Sequence, residues 1–312
     1  ILGAHTAGVP LEYRGPPRPI ICQEGSTRRV MKSTAVTARS RHTATVIALF
    51  TALGVSLLVV VLVSAGTGQL AIPPDQVLGS ILHRIGITWL PLPEHAAGDQ
   101  TLWAIRFPRV AMAVLVGAAL SVSGLLMQAV FGNPLAEPGV IGVSSGAAVG
   151  AGICIVFGLT IFGDWTVAVF AFGAGLIATL LVYFMSRADG RTEVVTLILT
   201  GIAINAIAGA GIALLTFLGD TQSREQIVFW QLGSLAGSRW EQVLVVAPVV
   251  AIGLIVSYLV ARKLDLLSLG ERNARHLGVN VEALRIGMIV LVSLLVGAAV
   301  AFAGIIAFVG LA

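Results

Sequence analysis

Residues 45–65 read TVIALFTALGVSLLVVVLVSA, a run of 21 residues without a charged side chain. An α-helix rises about 1.5 Å per residue and a bilayer's hydrocarbon core is about 30 Å thick, so about 20 apolar residues make one crossing. Basic residues crowd the N-terminal side of the run, at Arg28, Arg29, Lys32, Arg39 and Arg41. A cleavable signal peptide is the competing reading. Its apolar core would be about 7–15 residues long and end at a small-residue cleavage site; this run is longer and has no convincing site. The stretch reads as an uncleaved membrane span.

The same test applied outward finds six more charge-free runs. They lie between Arg109 and Glu137, Glu137 and Asp164, Asp164 and Arg187, Glu193 and Asp220, Glu241 and Arg262, and after Arg285. The predicted fold is therefore all-α: a polytopic transmembrane helix bundle with seven spans. Composition agrees, with 57% hydrophobic and 11% charged residues and a mean hydropathy of +0.96. A soluble domain carries about 25% charged residues, and this chain has too few to cover a water-facing surface. A soluble enzyme, a nucleic-acid-binding module and a disordered scaffold are all disfavoured. Cys22 and Cys154 are far apart and provide neither a disulfide framework nor metal-ligand spacing. Residues 1–41, with Pro10, Pro16, Pro17 and Pro19, are expected to be a disordered or non-native extension, and 42–312 the membrane domain.

If the spans alternate, twelve Lys and Arg residues fall on the side of the N-terminus and five on the other. Excess basic residues mark the cytoplasmic side, so the N-terminus is expected there. The runs hold no Asp, Glu, Lys or Arg, and none of the five histidines falls inside one. Proton-coupled transport and intramembrane proteolysis both need such groups, so neither is favoured. No catalytic or metal-ligating set is expected. The chain also lacks a P-loop, so no ATP site is expected on it.

Three constellations stand out. Arg106-Phe107-Pro108-Arg109 enters the second span from the external side, and two arginines three apart share a helical face. They either anchor the helix at the headgroups or receive a partner's carboxylates. Asn133-Pro134-Leu135-Ala136-Glu137-Pro138-Gly139 forms a cytoplasmic turn made rigid by its prolines, followed by a Gly/Ser/Ala run suited to close packing. In the cytoplasmic region 264–283, Ser268 and Glu271 fit a capping box, and Gly278 fits the position after a helix end. The short helix between would offer Leu269, Ala274 and Leu277 for contact and turn Arg272 and Arg275 to solvent. It would dock a partner or lie on its own bundle.

Taken together, Arg106 to Arg109, Gly117-Ala118-Ala119-Leu120, Gly124, Met127-Gln128, the Asn133 to Gly139 turn, Leu269-Gly270-Glu271, Ala274, Leu277-Gly278, Gly304 and Phe308-Val309-Gly310-Leu311 resemble the permease subunit of iron-siderophore, haem and cobalamin ABC importers (FecCD-like, type II). That family has about ten spans, and its pattern continues past Ala312 into a Pro-His stretch and three more spans. The resemblance implies a bacterial inner-membrane protein. Its partners would be a second permease subunit (a second copy or a close paralogue), two ATPase subunits carrying ATP and Mg²⁺, and an extracytoplasmic binding protein. No cofactor on this chain and no nucleic acid are implied. It further implies that Arg106 and Arg109 dock the binding protein, that Ser268, Leu269, Gly270, Glu271, Ala274, Leu277 and Gly278 couple to the ATPase, and that Asn133, Leu135 and Leu199 form the cytoplasmic gate. A ferric siderophore is the expected cargo. The alternative is a secondary transporter or channel with no ATPase; the charge-free spans and the capped cytoplasmic helix favour the ATP-driven reading.

Overall fold

The computed structural model describes the backbone of residues 24–188 and 191–311, with side chains over 44–187 and 192–311. The chain divides into two units, residues 1–60 and 61–312. In the first, the described residues belong to helix α1 (Glu24–Gly66), and every side chain from 44 to 60 is exposed. Of the expected N-terminal extension, residues 1–23 lie outside the described residues; the backbone from Glu24 to Arg41 is continuous with α1. The last turn of α1, from Val61, belongs to the second unit.

That unit continues with α2 (Pro74–Arg84), α3 (Gly98–Thr101), one π-helical turn over Leu102–Arg106 and α4 (Phe107–Phe131). After a turn come α5 (Val143–Phe157) and α6 (Thr166–Met185). A two-stranded hairpin follows, β1 (Arg187–Ala188) and β2 (Arg191–Thr192), antiparallel with Arg187 opposite Thr192. Then come α7 (Val194–Leu218), α8 (Thr221–Leu232), α9 (Trp240–Ser268), α10 (Glu271–His276), α11 (Val281–Ala303) and a closing 3-10 turn at Val309–Leu311.

Among the described residues, six helical segments are long and apolar enough to cross a membrane: Ala44–Gly66, Gly98–Phe131, Gly163–Met185, Val194–Leu218, Trp240–Ser268 and Val281–Ala303. The fold is the expected polytopic helical bundle, but one expected span is short. The run between Glu137 and Asp164 forms the 15-residue α5, about 22 Å long. Left-handed glycines set its ends, Gly142 at φ 83° and Gly158 at φ 59°. A charge-free run shows how much chain could be apolar; the glycines decide how much is helix.

Small residues bring the helices together. A β-carbon on Gly150 would lie 2.3 Å from the Phe170 carbonyl oxygen, and one on Gly146 2.7 Å from that of Ala174. So α5 and α6 touch backbone to backbone, as membrane helices do where packing rather than the hydrophobic effect holds them. The core centres on α11, enclosed by α4, α6 and α9 through Val292, Leu295, Val296 and Ala299.

Two ends of this unit can be told apart. One carries the ion pair Arg239–Asp164 at 2.9 Å, the end of α7 and the start of α9. The other carries the turn after α4, the hairpin and α10. Helix α8, absent from the sequence reading, has 12 residues, about 18 Å and too short to cross. Asp220 caps it, accepting the Ser223 N–H at 2.7 Å. That bond holds the exposed Asp220 carboxyl below the usual carboxylate range. The far end of α8 reaches α11, where the Ser234 N–H donates to the Ala303 carbonyl at 2.7 Å. Since α7 ends and α9 begins at the Asp164 end, α8 enters the bundle and the chain returns by the same face.

Candidate functional site

At the Asp164 end, Arg106 is not where a shared helical face would put it. It is 9% exposed and donates to the carbonyls of Ala65 at 2.7 Å, Gly66 at 3.0 Å and Leu70. The last carbonyls of a helix have no intrahelical donor, and a cation at that end is favoured by the helix dipole. The last turn of α1 supplies such carbonyls, and they capture Arg106. Gly68 makes room, because a β-carbon there would lie 2.8 Å from Arg106 Nη2. Arg106, which the resemblance implied as a docking residue, is thus held here as an internal brace. Arg109 is exposed and makes no hydrogen bond among the described residues. Beside them Trp103 stacks on Trp240 at 6.2 Å and lies 4.5 Å beneath the Arg84 guanidinium. This is an aromatic cluster of the kind found at membrane–water boundaries.

At the opposite end, the turn after α4 is built from local backbone and side-chain contacts. Gly132 (φ 61°) stops α4, the Asn133 side-chain oxygen accepts the Leu135 N–H at 2.9 Å, and Pro138–Ile141 forms a 3-10 turn. This leaves Asn133 exposed and Leu135 projecting at 77% exposure. Leu199, on α7, is likewise exposed. Helix α7 seats against the turn through Gly201, whose β-carbon would stand 1.9 Å from the Val140 oxygen. Asn205 fastens it, donating to the Gly139 carbonyl at 3.2 Å and accepting from Ser145 at 2.6 Å. An open cleft of about 520 Å³ lies alongside, lined among others by Glu137, Ser144, Ser145, Asn205 and Gln231. The Glu137 carboxylate accepts the N–H of Phe308 at 3.1 Å, whose φ of 68° is the one positive value outside glycine among the described residues. The C-terminal segment also locks onto α4, where a β-carbon on Gly124 would lie 2.0 Å from the Gly310 oxygen. Gln231 comes from α8, which no span count reveals.

The region 264–283 departs from its expected capping. Ser268 is the last residue of α9 and its hydroxyl donates to the Asp265 carbonyl at 2.7 Å. Gly270, at φ 99°, occupies the cap of α10 and no side chain caps it. A glycine there lets the chain turn sharply into α10, so Ser268 and Glu271 do not face each other and the capping box is not formed. The C-terminal expectation fits. Gly278 (φ 85°) follows the helix, its N–H donating to Arg275 and that of Val279 to Ala274, each at 3.0 Å; this is the Schellman pattern. Ala274, implied as a coupling residue, is fully buried and seats α10 on the chain's own bundle; Leu269 and Leu277 face outward at 60% and 59% exposure.

Glu271 reaches back to Arg275 at 3.3 Å and to Arg285, which sequence reasoning counted only as a basic residue. Arg285 is 2% exposed and donates to Glu271 and to the Thr192 carbonyl. Glu282 accepts the Thr192 hydroxyl at 2.5 Å and its N–H at 3.2 Å. These groups border an open cleft of about 700 Å³ together with Glu193, Arg272 and His276. Among the described residues no three His, Cys, Asp or Glu side chains gather closely enough to hold a metal ion.

Six apolar helical segments long enough to cross a membrane, with short elements outside them at one end and a polar cleft between helices, define a polytopic helical membrane protein. The model of the FecCD transport family matches residues 56–312, and the chain belongs to that family. It is 42% identical over 210 residues to the hemin transport system permease protein HmuU of Yersinia pestis, covering 66% of this chain and 63% of that one. It is 40% identical over 210 residues to the cobalamin import system permease protein BtuC of Halobacterium salinarum, covering 66% of this chain and 55% of that one. The matched segments thus span less than two thirds of these relatives. A solved structure described as an inward-facing conformation of a metal-chelate type ABC transporter superposes with a TM-score of 0.69 at 30% identity, over 83% of this chain and 76% of that one.

Proposed function

We propose that this chain is the membrane permease of an ATP-driven importer that carries a metal chelate into the cytoplasm. The observation that carries the reading is α10, a short helix outside the spans, seated by the buried Ala274 and flanked by the outward-facing Leu269 and Leu277, beside a charged cleft. A short helix seated on the bundle, its exposed polar side chains set between two exposed leucines, suits a force-bearing contact with an ATPase. In this reading ATP and Mg²⁺ act in the partner ATPase pair, and a second permease subunit completes the path. Arg109 receives carboxylates of the extracytoplasmic binding protein. Asn133, Leu135 and Leu199 form the cytoplasmic gate, and the protein sits in a bacterial plasma membrane with its N-terminus cytoplasmic.

The cargo class rests on the relatives, which are named for hemin and cobalamin. Within that class a ferric siderophore remains our reading. Uptake of iron-labelled siderophore, haemin and cobalamin into proteoliposomes holding the full-length protein, its ATPase and its binding protein tests it; preference for either tetrapyrrole would replace the siderophore. The permease reading is tested by co-purification. The ATPase should accompany the wild-type full-length protein and be lost from Leu277→Asp. Uptake that survives ATP depletion would establish a secondary transporter or channel instead.

A further inference from the structure

Helix α10 has six residues, too few to hold its own shape in water. Its attachments to the rest of the bundle are few. Ala274 provides an apolar seat. Among the described residues, the polar link leaving the segment 269–278 for another part of the chain is the bond from Glu271 to Arg285. Its other polar contacts are local: Asn273 donates to the Leu269 carbonyl at 2.8 Å, and Arg275 pairs with Glu271. Arg285 lies in the second turn of α11 and its second terminal nitrogen donates to the Thr192 carbonyl, on β2 of the α6–α7 hairpin. Glu282, one turn earlier and 4.0 Å from Arg285, holds the same Thr192 by its hydroxyl and N–H. The Nε of Arg285 is buried without a partner. The guanidinium is thus committed to one junction despite leaving a donor unsatisfied, a costly arrangement for a residue serving only as a surface charge.

On the permease reading above, we propose that Arg285 is a positioning residue: the joint that makes α10, the α6–α7 hairpin and the first turns of α11 move as one body. A rigid fork binding a carboxylate on one side and a backbone carbonyl on the other fixes direction as well as distance. A push on the outer face of α10 is then delivered to α6, α7 and α11 together, and not absorbed by hinging at Gly270 and Gly278.

The test uses the full-length protein with Cys22 and Cys154 replaced by Ser and spin labels at His276→Cys on α10 and Val195→Cys on α7. In the permease alone, the wild-type distance distribution should be narrow. Glu271→Gln, which weakens the α10 link and spares the bonds to Thr192, should broaden it at least twofold without lowering the unfolding temperature. Arg285→Met should broaden it further. With the ATPase bound and trapped by ATP and vanadate, the wild-type separation should stay constant and the Glu271→Gln separation should shift. A distribution as narrow in Glu271→Gln as in wild type overturns the joint. So does broadening that appears only together with global destabilisation, which would make Arg285 a stability residue. If the ATPase fails to bind the wild-type protein, the permease reading falls, while the distances in the permease alone still decide whether the joint exists.

Discussion

Arg106 and Arg285 are both buried arginines near the mouth of a helix bundle, and their partners differ. Arg106 is held by three backbone carbonyls. Arg285 is held by one carbonyl and a carboxylate that belongs to a half-exposed helix. Carbonyls at a helix end cannot leave without unravelling the helix, so the first arrangement is a fixed brace. A glutamate on a short, lightly seated helix can move with that helix, so the second is a working joint. The same residue type is structural at one end and mechanical at the other because of what accepts its hydrogen bonds.

The comparison breaks most sharply at Arg106. Arg106→Glu would bury a carboxylate among carbonyl oxygens, and breaking a buried charged site of this kind costs about 3–5 kcal/mol. The full-length variant should fail to give a monodisperse peak on size-exclusion in detergent. A well-folded variant would mean that Arg106 is not a brace. At the other end Ala274→Asp, which puts an unpaired charge beneath α10, should lower the unfolding temperature, whereas the exposed Leu277→Asp should not. Equal stability of the two would contradict the seat assigned to Ala274.

A smaller effect is expected where backbones meet. Gly201→Ala places a methyl group against the Val140 oxygen and should cost about 1–3 kcal/mol, the usual range for overpacking, read by thermal unfolding. Arg109→Glu should leave stability unchanged and abolish binding-protein capture, separating the exposed arginine from its buried neighbour; unchanged capture would return Arg109 to headgroup anchoring. The smallest effect concerns Asp220. Its carboxyl is held below the usual range in the folded state, so the cap's contribution is present above the unfolded pKa and is lost as pH falls through the lowered one. Protection of the Ser223 amide, measured against its intrinsic exchange rate at each pH, should persist into mild acid and fall only below the ordinary carboxylate range, and Asp220→Asn should remove that dependence.

The spans were legible because a crossing needs only length and the absence of charge, and six of the seven runs deliver it. Helix α5 fell short because Gly142 and Gly158 adopt left-handed backbone, which no hydropathy window registers. Arg106 was misplaced for a different reason. Helical spacing says which residues share a face, while the carbonyls that captured this one lie in the end of α1 and the loop beyond. The supposed capping box failed through Gly270, whose φ of 99° turned a suggestive Ser-to-Glu spacing into two unrelated contacts. Arg285 could have been suspected, since it stands at the head of a long apolar run, one helical turn after Glu282; its partner Thr192, more than ninety residues earlier in the chain, could not.

Helix α8 has a consequence for how this chain is mapped. A segment that goes in and comes back by one face adds depth without changing parity. Reporter fusions at Gly219 and Gly237 should therefore give the same sidedness, as if a plain loop joined α7 to α9. Water-soluble thiol reagents would tell the two apart. A cysteine at Gly237 should react freely, while one at Ile227, which is 2% exposed, should be shielded although both flanks are accessible.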